Sequence, residues 1–492
     1  HGDPSRPWNS FNIRIKNSDG SRRLTYEGNW RDIFQNWEAL LLSEPEWIDN
    51  VIAKFVNATT LDGFNPYRIT REGIDWETPD PGNPWSNIGY WGDHQISYLT
   101  RLLELSDHSN PSSLTKWMDA PLFSYADVPY TLRTHQEIVA DPRRTITFDT
   151  TSHEKSLHRA QQIGSDGLLV HNKEEIVLGT LAEKLLVPIL AKLSSLVPDG
   201  GIWMNTQRPE WNDANNALAG YGLSMVTACY LRRHLAVVSE LMHRTPGNTT
   251  LRTSVAEWMN SISNAFTKHN SLLERPTIDD QDRREVIDQL GLAFEHYRNC
   301  QHEQFVSSSV ALSECVEFCK LAIRWLDHCI SANKRSDGLH HGYNLISFQT
   351  HTAHIHSLPE MLEGQVATLA SGLLSAHESA DLLENIFEST LYRSDHDTFL
   401  LYPEKVIPSI IQKGIISPNE CLENPIISTA LAAADTRLVE RDERGEVRFS
   451  SEFRNRRDLE ALLNTLSHEP TYQEIAATHS EKTIELFESI FN

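Results

Sequence analysis

The sequence predicts an all-α fold, on three observations. Apolar residues recur at helical spacing along most of the chain, strand signals are few, and short polar punctuation separates the periodic segments. Trp37, Leu40, Leu41, Trp47, Val51 and Phe55 fall at three- and four-residue steps over two successive segments. Comparable amphipathic segments lie at 91–106, 153–163, 173–195, 218–243, 250–273, 283–298, 306–333, 357–374, 376–391 and 404–413. Most are divided by stretches such as "LDGFNP", "VPDGG", "RTPGNTT" and "LLSAHES". The best strand signals are "RTITFD" (144–149) and "GEVRFS" (445–450). Roughly a dozen helices joined antiparallel fit a solenoid, an irregular bundle or a closed ring of hairpins. No fixed period of about 30–45 residues is visible, which speaks against the solenoid.

With 492 residues, 39% hydrophobic, and 12 Trp, 13 Tyr and 17 Phe, the chain can bury a substantial core. An irregular segment is expected over 1–26, a helical catalytic domain over 27–425, and a charge-rich helical, peripheral extension over 426–492. Lys and Arg number 44 against 67 Asp and Glu, a net charge of −23. Such acidity argues against nucleic acid and anionic membranes as partners, since both demand clustered cations, and suits a neutral ligand. The six cysteines form no C-x-x-C pair, and Cys315 and Cys319 stand four apart on one expected helix. Both point to a reducing, cytoplasmic setting. No apolar run approaches the ~18 residues of a membrane span, and no signal peptide is apparent. The chain begins at His1 rather than Met, as a piece of a longer protein would.

The chemistry is expected in the long polar loops, 62–91, 107–152 and 199–216. In "GNWRDIFQN" (28–36), Arg31 and Asp32 sit at a helix start beside Trp30 and Trp37. "LDGFNPYRI" (61–69) follows, with Arg68 near its end. "NIGYWGDHQISYL" (87–99) then gathers Tyr90, Trp91, Asp93 and His94 at another helix start. "RPEWNDANN" (208–216) packs Glu210, Trp211, Asn212, Asp213 and two more asparagines into one stretch. Asparagine competes with the helix for backbone hydrogen bonds, so this reads as a loop entering a helix. Carboxylates, guanidinium and aromatic faces together are what a sugar needs: charged groups for its hydroxyls and a flat apolar surface for its C–H face. Taken singly, each stretch also reads as an ordinary helix cap.

In their order, these stretches resemble the catalytic domain of the cellobiose and chitobiose phosphorylases, and more loosely other six-hairpin glycosidases. The resemblance runs over about residues 26–235 and rests on "NWRD", "DGFNPYRI", "YWGDHQI" and "EWNDANN". It implies an (α/α)6 barrel with its loops at one end, and inverting cleavage of a glucoside-like bond. It implies sugar binding by Arg31, Asp32, Arg68, Trp91, Asp93, His94, Trp211, Asn212 and Asp213. Where that family carries an aspartate as general acid, this chain has Glu210, as in the related maltose and trehalose phosphorylases. Trp211 would then be the apolar wall that raises the Glu210 pKa. A β-sandwich domain preceding the barrel, or a homodimer, is a further partner this resemblance implies.

An inverting hydrolase needs a second carboxylate roughly 6.5–9.5 Å from the acid, whereas a phosphorylase needs only donors around phosphate. Glu363 and, second to it, Glu360 are the base candidates. They lie in "RSDGLHHGYNLISFQTHTAHIHSLPEMLEGQVATLASGLLS" (335–375), with Asp395 and Asp397 behind them. His340, His341, Tyr343, Asn344 and Thr350 of the same region could instead cradle an anion. His351, His354 and His356 match no zinc spacing, so no metal is expected. No cofactor is expected either, only inorganic phosphate as co-substrate of a phosphorylase. The substrate this resemblance implies is an oligosaccharide. The rival from another class is a non-catalytic helical scaffold binding glycans or proteins through the same loops.

Overall fold

A computed structural model describes residues 16, 19–21, 28–66, 68–70, 73–80, 88–90, 94–206, 218–301, 305–404 and 414–491. It is 53% helix and 16% strand, which corrects the expected all-α barrel to a mixed helix-and-strand fold. The chain forms two compact units, residues 1–403 and 404–492.

In the first unit, β1 (Gly28–Asn29) leads into α1 (Trp30–Ser43) and α2 (Ile48–Asn57). The hairpin β2 (Arg68–Thr70) and β3 (Gly73–Asp75) follows, then α3 (His94–Ser109). A second pair, β4 (Tyr130–Leu132) and β5 (Ile146–Phe148), precedes α4 (Thr150–Ile163) and α5 (Leu181–Leu193). Of the later elements, β6 (Leu196–Val197), β7 (Gly201–Trp203), β8 (Gly222–Ser224) and α6 (Met225–His243) come first. Then come α7 (Thr253–Lys268), α8 (Asp280–Cys300), α9 (Leu312–Ala332), β9 (Tyr343–Phe348), β10 (Ala353–Ser357) and α10 (Leu362–Ala370).

Strands β6 to β10 hydrogen-bond in that order into one antiparallel sheet, with Ile202 opposite Ser224, Leu223 opposite Asn344, and Ser347 opposite His354. This sheet is what the periodicity did not predict. β6, β7 and β8 are short and buried at every position, so they lack the alternation that marks a half-exposed strand. Helix α5 is the centre of the unit, and all its residues are buried, including Glu183, Lys184 and Lys192. A helix apolar on nearly every face belongs inside a core rather than on its surface. Leu185, Leu186, Ile189 and Leu190 are wholly buried, each worth about 1.5–3 kcal/mol over exposure. No helix among the described residues is long and apolar enough to cross a membrane. The six cysteines are free thiols, and burial pushes that of Cys315 up to about 12.

The second unit has a three-stranded sheet, Ile415–Ile416, Val447–Phe449 and Val439–Arg441, and the helices Pro425–Ala432, Arg456–Leu466 and Gln473–Phe491. Its own core gathers Ile426, Ile427, Leu438, Val439, Leu459 and Leu463. Its charges pair locally, Arg437 with Asp435 and Glu469 at 2.7 Å each.

Candidate active site

The turn 60–64 is the foundation of the site. The Thr60 amide donates to the Phe64 carbonyl at 2.9 Å, and the Phe64 amide to the Thr60 hydroxyl at 3.2 Å. Gly63 has φ +84°, and a Cβ there would stand 2.6 Å from the Val187 carbonyl oxygen of α5. Only glycine lets the turn sit this close to the central helix. Asp62 is held at both oxygens: the Tyr90 hydroxyl donates to Oδ2 at 3.1 Å and the Gln301 amide to Oδ1 at 2.8 Å. The Tyr90 ring stacks on Phe64 at 4.9 Å. Burial, reinforced by the Asp62 carboxylate, pushes the Tyr90 phenol well above its ordinary range, so it remains a donor.

Beneath this turn lies a fully buried polar network. Lys184 Nζ donates to the carbonyls of Ser124 (2.6 Å) and Thr59 (3.2 Å) and lies 3.4 Å from the centre of the Tyr125 ring. Desolvation drives its pKa well down. The Tyr125 hydroxyl donates to Glu183, which pairs with Arg252 at 3.0 Å. Arg252 also donates to the Tyr297 hydroxyl at 3.2 Å, and Tyr297 in turn to the Leu61 carbonyl at 2.8 Å. Lys184 and Tyr297, joined through the Tyr125 ring, Glu183 and Arg252, therefore fix the backbone leading into Asp62 at the Thr59 and Leu61 carbonyls.

Asp62 and Tyr90 open onto a cavity of about 410 Å³, also lined by Asp127, Tyr130, Asp149, Arg159, Arg298 and Gln301. That volume is within the ~300–1,000 Å³ of small-ligand sites. Asp127 is neutralised by Arg159 at 2.5 Å and accepts from the Ser156 hydroxyl at 3.2 Å. Asp149 caps α4 through the amides of Thr151 and Ser152, at 2.9 and 3.1 Å. The Ser152 hydroxyl and amide hold its pKa below the usual carboxylate value. Arg298, at the end of α8, donates to the Arg133 carbonyl at 2.8 Å and lies over the Phe294 ring at 4.4 Å. The lining thus mixes acceptors, cations and aromatic surface, the set that recognises a polyhydroxylated ligand.

The structure joins the predicted stretches in part. Asn29 pairs with Arg68 across β1 and β2, which ties the "NWRD" stretch to "YRI". Arg31 and Asp32 occupy the first turn of α1, Arg68 is in β2, and His94 opens α3. The Tyr90 amide donates to the Thr206 carbonyl, and the Thr206 hydroxyl to the Tyr90 carbonyl, both at 3.2 Å. The chain therefore enters "RPEWNDANN" from a point bonded to the cavity wall. Glu210, Trp211, Asn212, Asp213, Trp91 and Asp93 themselves lie outside the described residues.

Glu363 is elsewhere. It sits in the first turn of α10, accepts from the Tyr343 hydroxyl at 3.0 Å, and does not line this cavity. Glu360 is tied to Arg335 at 3.1 Å and Thr390 at 2.9 Å. Asp395 pairs with Arg393, and Asp397 accepts from Tyr392, within one hairpin. His354 pairs with Asp280 at 2.5 Å, and Asn344 donates to the Gly200 carbonyl and Asn333. Among the described residues no cluster of three potential metal ligands occurs. Asp127, Asp149, Arg159 and Arg298 were not singled out in sequence. Asp127 and Asp149 lie in the flagged 107–152 loop, whereas Arg159 and Arg298 look like ordinary helix-surface cations.

Residues 407–492, within the second unit, match a family model described as GH149 phosphorylase insertion domain 2. The match relates the chain to GH149-type glycoside phosphorylases, at the level of a carbohydrate-active enzyme, and not specifically to the cellobiose-phosphorylase barrel. No curated protein matches the chain.

Proposed function

From this relationship to glycoside phosphorylases, we propose that the chain is an inverting enzyme that transfers a glycosyl group from a glucoside-like oligosaccharide to inorganic phosphate. The observation that supports it best is the cavity at Asp62 and Tyr90, lined for sugar hydroxyls and bonded to the entry of the Glu210 stretch. Glu210 follows Thr206 by four residues, which keeps its Cα within roughly 14 Å of Thr206.

In the proposed step, Glu210 donates its proton to the glycosidic oxygen as the bond from that oxygen to the anomeric carbon breaks. A phosphate oxygen attacks the same carbon from the opposite face. The products are a sugar 1-phosphate of inverted configuration and an oligosaccharide shortened by one unit, and Glu210 is left as a carboxylate to be reprotonated from solvent. Phosphate is itself the nucleophile, so no protein base is required. Trp211 keeps the acid protonated by excluding water; Asn212, Asp213, Arg31, Asp32, Arg68, Trp91, Asp93 and His94 hold hydroxyls.

The test is incubation with α- and β-linked gluco-oligosaccharides, with and without inorganic phosphate, following free sugar and sugar 1-phosphate. Sugar 1-phosphate should form only with phosphate, and Glu210→Gln should lower its rate by about 10²–10⁴-fold. Free sugar released equally without phosphate would make the enzyme a hydrolase and return Glu363 to consideration as a base. Binding without any turnover would make it a glycan-binding scaffold.

A further inference from the structure

Two guanidinium groups line the cavity, and they are not equivalent. Arg159 is spent on Asp127 at 2.5 Å. Arg298 is half-buried, and the carboxylates that act on it, Asp62 and Glu295, form no ion pair with it among the described residues; Glu295 accepts from the His135 amide at 2.6 Å. Its two contacts, the Arg133 carbonyl and the face of Phe294, fix the plane of the group and account for one N–H donor. The nearby Asp62 is already engaged at both oxygens by Tyr90 and Gln301. A planar cation held in one orientation with donors to spare matches an oxyanion with several equivalent oxygens. Asn299 and Thr131 line the same cavity and bring neutral donors to it.

We propose that Arg298 anchors a phosphate group in this cavity, that of inorganic phosphate as co-substrate or of sugar 1-phosphate as product. The assignment rests on the phosphorylase reading for what the phosphate does there, but binding can be measured without turnover. The first experiment uses the unmodified full chain. Phenylglyoxal labels accessible arginines, and peptide mass spectrometry reads the label at Arg298 with no addition, with inorganic phosphate and with glucose 1-phosphate.

Protection by inorganic phosphate supports a co-substrate site, and protection by glucose 1-phosphate alone supports a product site. Equal labelling in all three conditions overturns the assignment. The second experiment compares Arg298→Gln and Arg298→Lys by steady-state kinetics. The KM for phosphate should rise about tenfold or more in Arg298→Gln and less in Arg298→Lys, while the KM for oligosaccharide moves little. An unchanged phosphate KM in a folded Arg298→Gln also overturns it. Protection of Arg298 in a chain that never makes sugar 1-phosphate would sink the phosphorylase reading and leave the anion site standing. Sugar 1-phosphate formation with an unprotected Arg298 would do the reverse.

Discussion

A single hydroxyl holds much of the candidate site in place. Tyr90 reaches Asp62 with its OH, Phe64 with its ring and Thr206 with its backbone. Tyr90→Phe keeps the stacking and removes the donor, leaving Asp62 Oδ2 short of a partner at a cost of about 1–3 kcal/mol. The expected outcome is a fall of roughly tenfold in kcat/KM with the fold retained by circular dichroism, where 1.4 kcal/mol is a factor of ten. A second residue-scale prediction concerns His234, buried against the Thr100 hydroxyl at 2.7 Å. Burial pushes its pKa down from 6.5 to about 3. The unfolded chain therefore binds a proton between those values and the folded chain does not, so stability is full above pH 6.5 and lost on acidification. In urea melts, His234→Gln should lose about 2 kcal/mol less than wild type between pH 6.5 and 5. An identical pH slope in both proteins would remove His234 as the cause. The sequence discloses Asp62 and Tyr90 as members of polar-aromatic stretches. It does not disclose Arg298, whose distinction from other helix arginines is a missing partner, and partners are set by tertiary placement.

At the scale of elements, most helices are legible because they keep one apolar face, α5 being buried all round. The Cys315 and Cys319 pair does lie buried along α9. The five-stranded sheet is illegible for the opposite reason: it is buried on both faces at its start, and its strands are two to six residues long. "RTITFD" and "GEVRFS" do hold the strands Ile146–Phe148 and Val447–Phe449. The contact between the 60–64 turn and α5 gives an element-scale prediction. Gly63→Ala combines a left-handed backbone with a clash against a helix carbonyl, whereas Gly247→Ala has φ +111° and nothing within 4 Å. Backbone strain alone costs about 1–2 kcal/mol, so Gly247→Ala should lose that much and Gly63→Ala clearly more. Equal losses in urea denaturation would show that the turn is not wedged against α5.

For the whole molecule, the consequential fact is that residues 404–492 carry a core of their own. That segment, expressed alone, should unfold in a single cooperative urea transition, with far-UV dichroism and tryptophan-independent probes coinciding. A broad, non-coincident transition would show that it depends on the first unit. Composition read the scale of the molecule well, since an acidic, aromatic-rich chain of 492 residues does bury an extensive interior. It could not reveal a second unit, because charge-rich surface helices look alike whether they trail from a domain or enclose a small one.

The Lys184, Glu183 and Arg252 network also bears on how such a protein can change over generations. Removing one member of a buried ion pair costs about 3–5 kcal/mol, because the other is left charged and dry. A single replacement of Glu183 or Arg252 therefore passes through a badly folded intermediate, and only concerted replacement of the pair avoids it. Natural variation in ligand preference would then accumulate at the rim, along 127–132 and 298–301, while the charged floor is passed on unaltered. In laboratory evolution, libraries confined to that rim should yield more folded variants than libraries that include the floor.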